Sequence, residues 1–344
     1  MTPTRQVVRR LSADDVLAFI HIPKTAGSTL AALLDPLLPG RRLPVHELGP
    51  LDRMRAGEIA AARSIAGHFP ASVVEALWGA DCIQLTILRE PLARFTSHFR
   101  QLQVEALGYD PERAQEDVWD YSRVRQMSLG DFVADPGILL RRAVNLQTRY
   151  LAMEIMPEGW RSGAAAPFEL LVLYKNTLAS GKEWPLDTAK ARLERMAWFG
   201  LVERFQESLF LLSFSFAWRP MQNVVRLNAV KNKAARDAID DEILARMVSY
   251  NTQDLALYTF AQQLFETRYQ GAIDYLFERH GSRRHARMRQ PYDPAALDEL
   301  LLRHYSAIRE PRKRAMDLSG GVRFAWDRAL TGAFGWSMLE SSSK

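Results

Sequence analysis

The chain has 344 residues, of which 47% are hydrophobic and 25% are charged, a composition typical of globular proteins and unlike that of disordered or fibrous ones. This length suffices for one large domain or two smaller ones whose cores need no disulfides. The formal net charge of +5 favours an anionic ligand or surface, but it is too small an excess to indicate nucleic acid by itself.

Cys82 is the only cysteine, so the chain forms no internal disulfide and nothing in it requires an oxidising compartment. Arg5, Arg9 and Arg10 are not followed by the apolar stretch of a secretory signal. No run of about 18 apolar residues predicts a transmembrane segment. We therefore expect a cytoplasmic protein.

Short apolar runs alternate with helical patterns along the first third of the chain, which predicts βαβ units and a parallel sheet. The predicted strands cover residues 16–22, 64–66 and 82–88, and a fourth, 198–202, follows a mainly helical middle. The helices predicted after these strands cover residues 30–38, a segment beyond Pro70, Pro91 to about Leu107, and residues 204–216.

The last third of the chain is predicted to be mainly helical. Residues 241–270 have the pattern of one or two long helices, and Asp293 with Pro294 is a typical helix start. The basic segment 279–289 is interpreted as a solvated face, with contact to a polyanionic acceptor as the alternative. The aromatic segment 322–339 predicts a packing helix or a homo-oligomer contact, with a membrane-interface helix as the alternative.

A polar loop with the sequence PKTAGST, residues 23–29, follows the first predicted strand and precedes a helix. Gly27 allows close approach of a ligand to the backbone, and the helix N-terminus offers unpaired N–H groups and a positive dipole end. This geometry binds phosphate. Lys24 adds a charge, and hydroxyl donors come from Thr25, Ser28 and Thr29.

The loop differs from a Walker A motif, in which the lysine follows the second glycine. Here Lys24 precedes Gly27, and an ordinary capped turn is the alternative interpretation. We predict an α/β fold, with a P-loop-like parallel sheet flanked by helices in residues 1–270. Residues 271–344 are predicted to form a mostly helical C-terminal extension that is basic at its start.

A second segment indicates another phosphate site. Arg89 lies directly after the predicted strand 82–88, at the carboxyl end where α/β sheets bind ligands. Ser97 lies eight residues later, about two turns along the following helix. An arginine fork and a hydroxyl that converge at a strand end suit a phosphate group.

Together the two segments resemble the two signatures of PAPS-dependent sulfotransferases, which use 3′-phosphoadenosine 5′-phosphosulfate (PAPS) as sulfuryl donor. The variant is similar to the carbohydrate branch that includes heparan sulfate 2-O-sulfotransferases. The resemblance covers about residues 15–265. Further segments similar to this group are Gly67-His68, Asn145 to Leu151, Gly200 to Phe205, Leu227-Asn228 and Asp254 to Tyr258.

The resemblance implies a role for each matching residue of the first segment. The 5′ side of PAPS would be held by Lys24, Thr25, Gly27, Ser28 and Thr29. Lys24 would also neutralise the oxygen that leaves with the product PAP (adenosine 3′,5′-bisphosphate).

Other residues receive roles in the same way. Arg89 and Ser97 would hold the 3′-phosphate, and His68 matches the position of the catalytic base. Lys231 and Lys233 lie in a segment that would close over the nucleotide.

The remaining conspicuous side chains are interpreted as structural. His21 lies within the first predicted strand between two isoleucines, and His46 is placed on the surface, with an acceptor contact as the alternative. Arg94 is predicted to form an ion pair on its helix, and Arg204, beside Glu203 at a helix start, is predicted to be structural.

The chain departs from eukaryotic members of the family, which carry a membrane anchor and disulfides. This difference favours a bacterial type of enzyme. It also weakens the inference, drawn from the family, that the substrate is a glycosaminoglycan. No metal-ligand spacing occurs, and Lys24 with helix N–H groups would suffice for sulfuryl transfer without a metal.

The predicted reaction is sulfuryl transfer from PAPS to a hydroxyl of a saccharide or another small acceptor, with release of PAP. Two alternatives remain. One is a P-loop nucleotide kinase, which would require Mg²⁺ and ATP. The other is a non-catalytic module that binds PAP or a polyanion.

Overall fold

The structure is a computed structural model that describes residues 11–38, 40–107, 124–135, 137–155, 170–179, 184–221, 239–282, 288 and 292–317. Lys231, Lys233, the aromatic segment 322–339 and most of the basic segment 279–289 lie outside these residues.

Four parallel strands form the sheet, in the order β2-β1-β3-β4. Their bounds are β1 Leu17–Ile20, β2 Ser64–Gly67, β3 Ile83–Leu88 and β4 Trp198–Leu201. Every residue of the four strands is buried, as expected for a parallel sheet covered on both faces. The predicted α/β fold, with a parallel sheet flanked by helices and a helical C-terminal region, is confirmed.

Helices cover the sheet and form most of the remaining described chain. Those in the first half are α1 Gly27–Leu34, α2 Leu48–Asp52, α3 Ala56–Ala61, α4 Ala71–Trp78, α5 Pro91–Leu107, α6 Leu129–Ala134, α7 Ile138–Ala143 and α8 Leu146–Ala152. Those in the second half are α9 Leu170–Ala179, α10 Leu186–Arg195, α11 Phe205–Phe216, α12 Asp241–Tyr250, α13 Thr252–His280 and α14 Pro294–Asp317.

The start of α5 agrees with the prediction. Its first residue is Pro91, whose missing N–H costs nothing in the first turn of a helix. The Glu90 carboxylate accepts hydrogen bonds from the N–H groups of Leu92 (3.0 Å) and Ala93 (2.8 Å). Arg89 is thereby held between the end of β3 and a capped helix.

The first helix differs from its prediction at both ends. It begins at Gly27 rather than at residue 30, because Ala26 has a left-handed backbone (φ 60°) from which the helix starts. It ends at Leu34, followed by a 3₁₀ turn over Asp35–Leu37. Pro36 explains the early end, since proline has no N–H with which to continue the helical hydrogen bonds. Ser28 and Thr29 therefore lie in the first turn of α1, not in the loop.

Residues 241–270, for which one or two long helices are predicted, form two helices separated at Asn251. The second, α13, continues to His280, so the predicted domain boundary after residue 270 falls within a helix, and the division itself stays a prediction. As predicted, Asp293 caps α14 by accepting from the Ala295 N–H (3.1 Å). This last helix packs against α11 and α13. No helix in the described part of the chain is both long and apolar enough to cross a membrane.

The register of the sheet aligns the carboxyl ends of its strands. Ile20, the last residue of β1, lies opposite Gly67 of β2 and Thr86 of β3. The residues that follow β1, β2 and β3 are His21, His68 and Arg89. They therefore lie at one edge of the sheet, the edge at which α/β proteins bind ligands.

Candidate active site

The loop between β1 and α1 is held in an unusual backbone conformation. Lys24 and Ala26 both have positive φ, at 70° and 60°. Such angles are costly for residues with a side chain and are typical of functional sites. Ala26, the residue before α1, supplies no side-chain cap to the N-terminus of this helix. Its first N–H groups and positive dipole end are thus suited to an anion.

The three hydroxyl residues of this segment have different surroundings. Thr25 is fully buried, and its hydroxyl donates to the Ile22 carbonyl (2.8 Å), so the side chain stabilises the loop from inside. Its backbone N–H is the donor left for a ligand. Thr29 is buried, and Ser28 is exposed at the first turn of the helix.

Gly27 is required by a contact that the sequence does not reveal. A Cβ at this position would overlap the imidazole of His21. The His21 ring also stacks on Phe19, at 5.7 Å between ring centroids, and lies against His68 at 4.4 Å. His21 therefore fills the space between the loop and His68. The prediction of a structural role in the strand overlooked this position beside the site.

His68 is fixed by two hydrogen bonds to the backbone. The ring atom Nδ1 lies 2.6 Å from the His21 carbonyl oxygen, and the backbone N–H of His68 donates to the His46 carbonyl at 2.7 Å. Since a carbonyl only accepts, Nδ1 carries the proton and Nε2 has the lone pair. The tautomer with an accepting Nε2 is the one that a general base needs.

The electrostatic surroundings keep His68 neutral. Burial lowers the pKa of His68, with weaker lowering by Arg142 and His46, while the bond to the His21 carbonyl and the Glu47 charge oppose the shift. Burial also lowers the pKa of His21 to about 3, helped by the nearby His68, His46 and Lys24. Both rings are unprotonated at neutral pH.

His46 borders the same site through its backbone. Its side chain is exposed, as predicted, and its Nδ1 donates to the Ala66 carbonyl (2.9 Å). Its own carbonyl oxygen would lie 2.6 Å from a Cβ at position 67. Gly67 is thus needed for the close approach of the His46 backbone, and that approach orients His68.

Two cations lie next to each other where the loop meets β3. The Lys24 ammonium donates to the Gln101 amide oxygen (3.2 Å), and Arg89 Nη1 donates to the Lys24 carbonyl (3.1 Å). Burial lowers the pKa of Lys24, the Arg89 charge lowers it further, and Glu105 opposes the shift. Neighbouring positive charges that are partly withdrawn from water favour the binding of an anion. Ser97 is half-buried on the adjoining α5.

Three segments that are similar to the sulfotransferase group, but in which no residue had been given a role in the site, lie together behind Arg89. The Glu90 N–H donates to Glu203 Oε1 (3.2 Å), and the Tyr258 hydroxyl donates to Glu203 Oε2 (2.5 Å). The Gln147 side chain binds the backbone of Arg89. Residues from three distant stretches of the chain thus support one strand end.

Two arginines have the structural roles predicted for them. Arg94 is fully buried, donates to the Ala143 carbonyl and has its Nε 3.9 Å from Asp254 Oδ2. Burial lowers the pKa of Arg94 to about 10, against the effect of Asp254. Arg204 pairs with Glu207 and Glu266.

The described residues contain no group of three or more His, Cys, Asp or Glu side chains that could hold a metal ion. The groups that the structure offers a ligand at this edge are therefore cations, N–H donors and imidazoles. His21 and Gln147 are the two site residues that sequence reasoning missed. The sequence gives no sign that His21 belongs to the site, because Gly27, which its ring contacts, follows six residues later in the predicted loop.

The fold and the site define an α/β protein whose sheet edge is suited to an anion and carries a neutral histidine. No protein-family model matches the chain. It is similar to heparan-sulfate 6-O-sulfotransferase 3-B of Danio rerio, with 25% identity over 310 residues that cover 78% of this chain and 68% of the relative. It is also similar to heparan-sulfate 6-O-sulfotransferase 1 of Homo sapiens, with 25% identity over 315 residues that cover 78% of this chain and 71% of the relative.

A third relative is heparan-sulfate 6-O-sulfotransferase 2 of Gallus gallus, with 24% identity over 314 residues that cover 77% of this chain and 70% of the relative. These similarities support an enzyme related to carbohydrate sulfotransferases, as the resemblance in the sequence implied. The relatives are 6-O-sulfotransferases, so the resemblance to 2-O-sulfotransferases and the bacterial type stay predictions.

Proposed function

We propose that the protein is a sulfotransferase that moves a sulfuryl group from PAPS to a hydroxyl of a saccharide and releases PAP. One observation carries the proposal. The imidazole of His21 contacts both Gly27 of the anion-binding loop and His68, which brings a histidine with an accepting Nε2 beside the loop.

The loop and the start of α1 would hold the 5′-phosphosulfate. Lys24, Ser28 and Thr29 would contact it through their side chains, and Thr25 and Gly27 through their N–H groups. Arg89 and Ser97, which follow the end of β3, would hold the 3′-phosphate. Lys231 and Lys233 are proposed to cover the nucleotide.

The reaction would proceed by in-line displacement at sulfur. The acceptor oxygen forms a bond to sulfur while the bond from sulfur to the bridging phosphate oxygen breaks. His68 Nε2 takes the proton of the acceptor hydroxyl, and Lys24 stabilises the negative charge on the departing oxygen. Orientation by the rigid loop lowers the entropic part of the barrier. No metal has a role in this proposal.

The saccharide acceptor is proposed from the names of the relatives, which act on heparan sulfate. Location in the cytoplasm and self-association through residues 271–344 also stay proposals, since their basis is the sequence alone.

Turnover of PAPS tests the proposal directly. The purified chain is incubated with PAPS and a panel of saccharides in EDTA, and mass spectrometry detects the added sulfate. We expect product in EDTA, and we expect Lys24→Ala to lower kcat roughly 10²–10³-fold, as for loss of one transition-state donor. Lys190→Ala is the matched control, because this lysine is on α10 and lies over the Phe260 ring of α13. Activity that requires Mg²⁺ and ATP instead of PAPS would favour the kinase alternative.

A further inference from the structure

The side-chain amide of Gln147 binds both main-chain polar groups of Arg89. Its Oε1 accepts from the Arg89 N–H (2.8 Å), and its Nε2 donates to the Arg89 carbonyl (2.9 Å). Because the N–H only donates and the carbonyl only accepts, the orientation of the amide is determined. Gln147 is 1% exposed, so no water competes for these bonds. The side chain thus binds the residue after β3 as a neighbouring strand would.

Gln147 is itself held at the start of α8 by a buried carboxylate. Asp254, which is fully buried, accepts from the N–H groups of Gln147 (3.1 Å) and Thr148 (2.7 Å) and from the Thr148 hydroxyl (2.9 Å). A carboxylate at a helix N-terminus also interacts favourably with the helix dipole. Charge-assisted bonds of this kind are stronger than neutral ones.

The capping is reciprocal. Asn145, the residue before α8, has a left-handed backbone (φ 43°), and its Oδ1 accepts from the N–H groups of Gln253 (3.1 Å) and Asp254 (3.0 Å) at the start of α13. Each helix start thereby supplies the cap of the other. Two segments about a hundred residues apart along the sequence are fixed together behind Arg89.

We infer that Gln147 is a positioning residue that determines the selectivity of the donor site for a 3′-phosphate. Gln147 binds the backbone of Arg89, and the Arg89 guanidinium donates to the Lys24 carbonyl (3.1 Å). Because both the N–H and the carbonyl of Arg89 are bound, the position from which its side chain extends is fixed. The guanidinium is therefore preorganised before the anion binds. The inference rests on the proposed function, in which Arg89 holds the 3′-phosphate.

Binding of two nucleotides tests this role. PAP carries the 3′-phosphate, and adenosine 5′-monophosphate (AMP) lacks it. For Gln147→Met, which keeps the length of the side chain and removes both hydrogen bonds, we expect the Kd for PAP to rise about tenfold, which corresponds to about 1.4 kcal/mol. The Kd for AMP should change less than twofold. Isothermal titration calorimetry measures both.

Ser72→Ala is the matched control. The Ser72 hydroxyl is buried and donates to the Met153 carbonyl (2.7 Å) at the other end of α8. Its loss removes a buried hydrogen bond from the same helix without touching Arg89. We expect a comparable loss of thermal stability and an unchanged preference for PAP over AMP.

A double-mutant cycle separates positioning from general stability. In an Arg89→Ala background, Gln147→Met should cause no further loss of PAP affinity, because the side chain that it positions is gone. Additive losses would overturn the inference. Equal weakening of PAP and AMP by Gln147→Met would overturn it as well.

Two further outcomes keep the test decisive. If Gln147→Met is unfolded by circular dichroism, Gln147→Asn replaces it, since the shorter side chain keeps a neutral amide and withdraws it from the Arg89 backbone. About a threefold loss of the PAP preference is expected there, and an unchanged preference would overturn the inference. A parent protein that binds PAP no tighter than AMP would overturn the proposed donor site together with the inference.

Discussion

Two pairs of histidines in this molecule contact each other ring to ring, in different surroundings. His21 and His68 lie at the carboxyl edge of the sheet, with ring centroids 4.4 Å apart. His280 and His304 lie where α13 meets α14, with ring centroids 5.4 Å apart and a hydrogen bond of 3.2 Å between Nε2 and Nδ1. Burial is the main cause that lowers the pKa of each of the four rings.

The hydrogen bonds distinguish the two pairs. His68 donates from Nδ1 to a backbone carbonyl, which makes Nε2 an acceptor. In the second pair the two rings bind each other, and His304 is enclosed by Phe214 and Tyr275. Its Nε2 is buried with no hydrogen-bond partner among the residues described. A depressed pKa therefore does not distinguish the two pairs, whereas the hydrogen-bond partners of the ring nitrogens do.

The largest expected effect is a loss of kcat when Nε2 of His68, the hydrogen-bond acceptor of the first pair, is removed. His68→Ala should lower kcat roughly 10²–10⁴-fold and leave PAP affinity nearly unchanged. In the parent, kcat should fall as the pH falls through the pKa of His68, below 6.5, because the ring then becomes protonated. The variant should lack this acidic limb. A pH–rate profile measures both effects.

His304→Ala is the comparison for this prediction. It should lower stability, since it opens a cavity among aromatic rings, and leave kcat within about twofold of the parent. Turnover by His68→Ala within threefold of the parent, or a retained acidic limb, would show that another group accepts the proton.

A smaller effect is expected from a change that displaces His21 without removing it. In Gly27→Ala the new methyl group overlaps the His21 ring, so we expect a loss of about 1–3 kcal/mol in stability and weaker PAP binding. Adding His21→Ala should restore part of both, because it vacates the space. Gly57→Ala is the control, since a Cβ there meets nothing within 4 Å. Additive losses in the double variant would contradict the proposed packing.

The smallest expected effect is the loss of stability that His304, in the second pair, causes at acidic pH. The pKa of His304 is lowered to about 4 in the folded protein, mainly by burial and further by His280. Between pH 6.5 and 4 the unfolded chain binds a proton at this position that the folded chain does not, so stability falls as the pH falls. This contribution is at most about 1.4 kcal/mol per pH unit. Urea unfolding at pH 7, 6 and 5 should show a shallower pH dependence for His304→Phe than for the parent, and parallel curves would contradict the assignment.

Local patterns in the sequence predicted the four strands and several of the helices. Buried strands without alternation predict a covered parallel sheet, because both faces of each strand exclude water. The start of α5 at Pro91 and of α14 at Pro294 followed from local rules for helix termini, which act within one turn. The sequence also indicated a loop and a strand end suited to phosphates, since position after a strand is a local property.

The way in which these elements form a site depends on contacts between segments that are distant in the sequence. Gly27 and His21, or Gln147 and Arg89, are related by packing and by hydrogen bonds that no local pattern encodes. Asp254 reaches the start of α8 from about a hundred residues away. Side-chain contacts between distant segments depend on how whole helices and strands pack, and periodicity reports only which face of an element is buried. The neutral state of His68 follows from the same packing, because burial and a backbone carbonyl set its pKa and its tautomer.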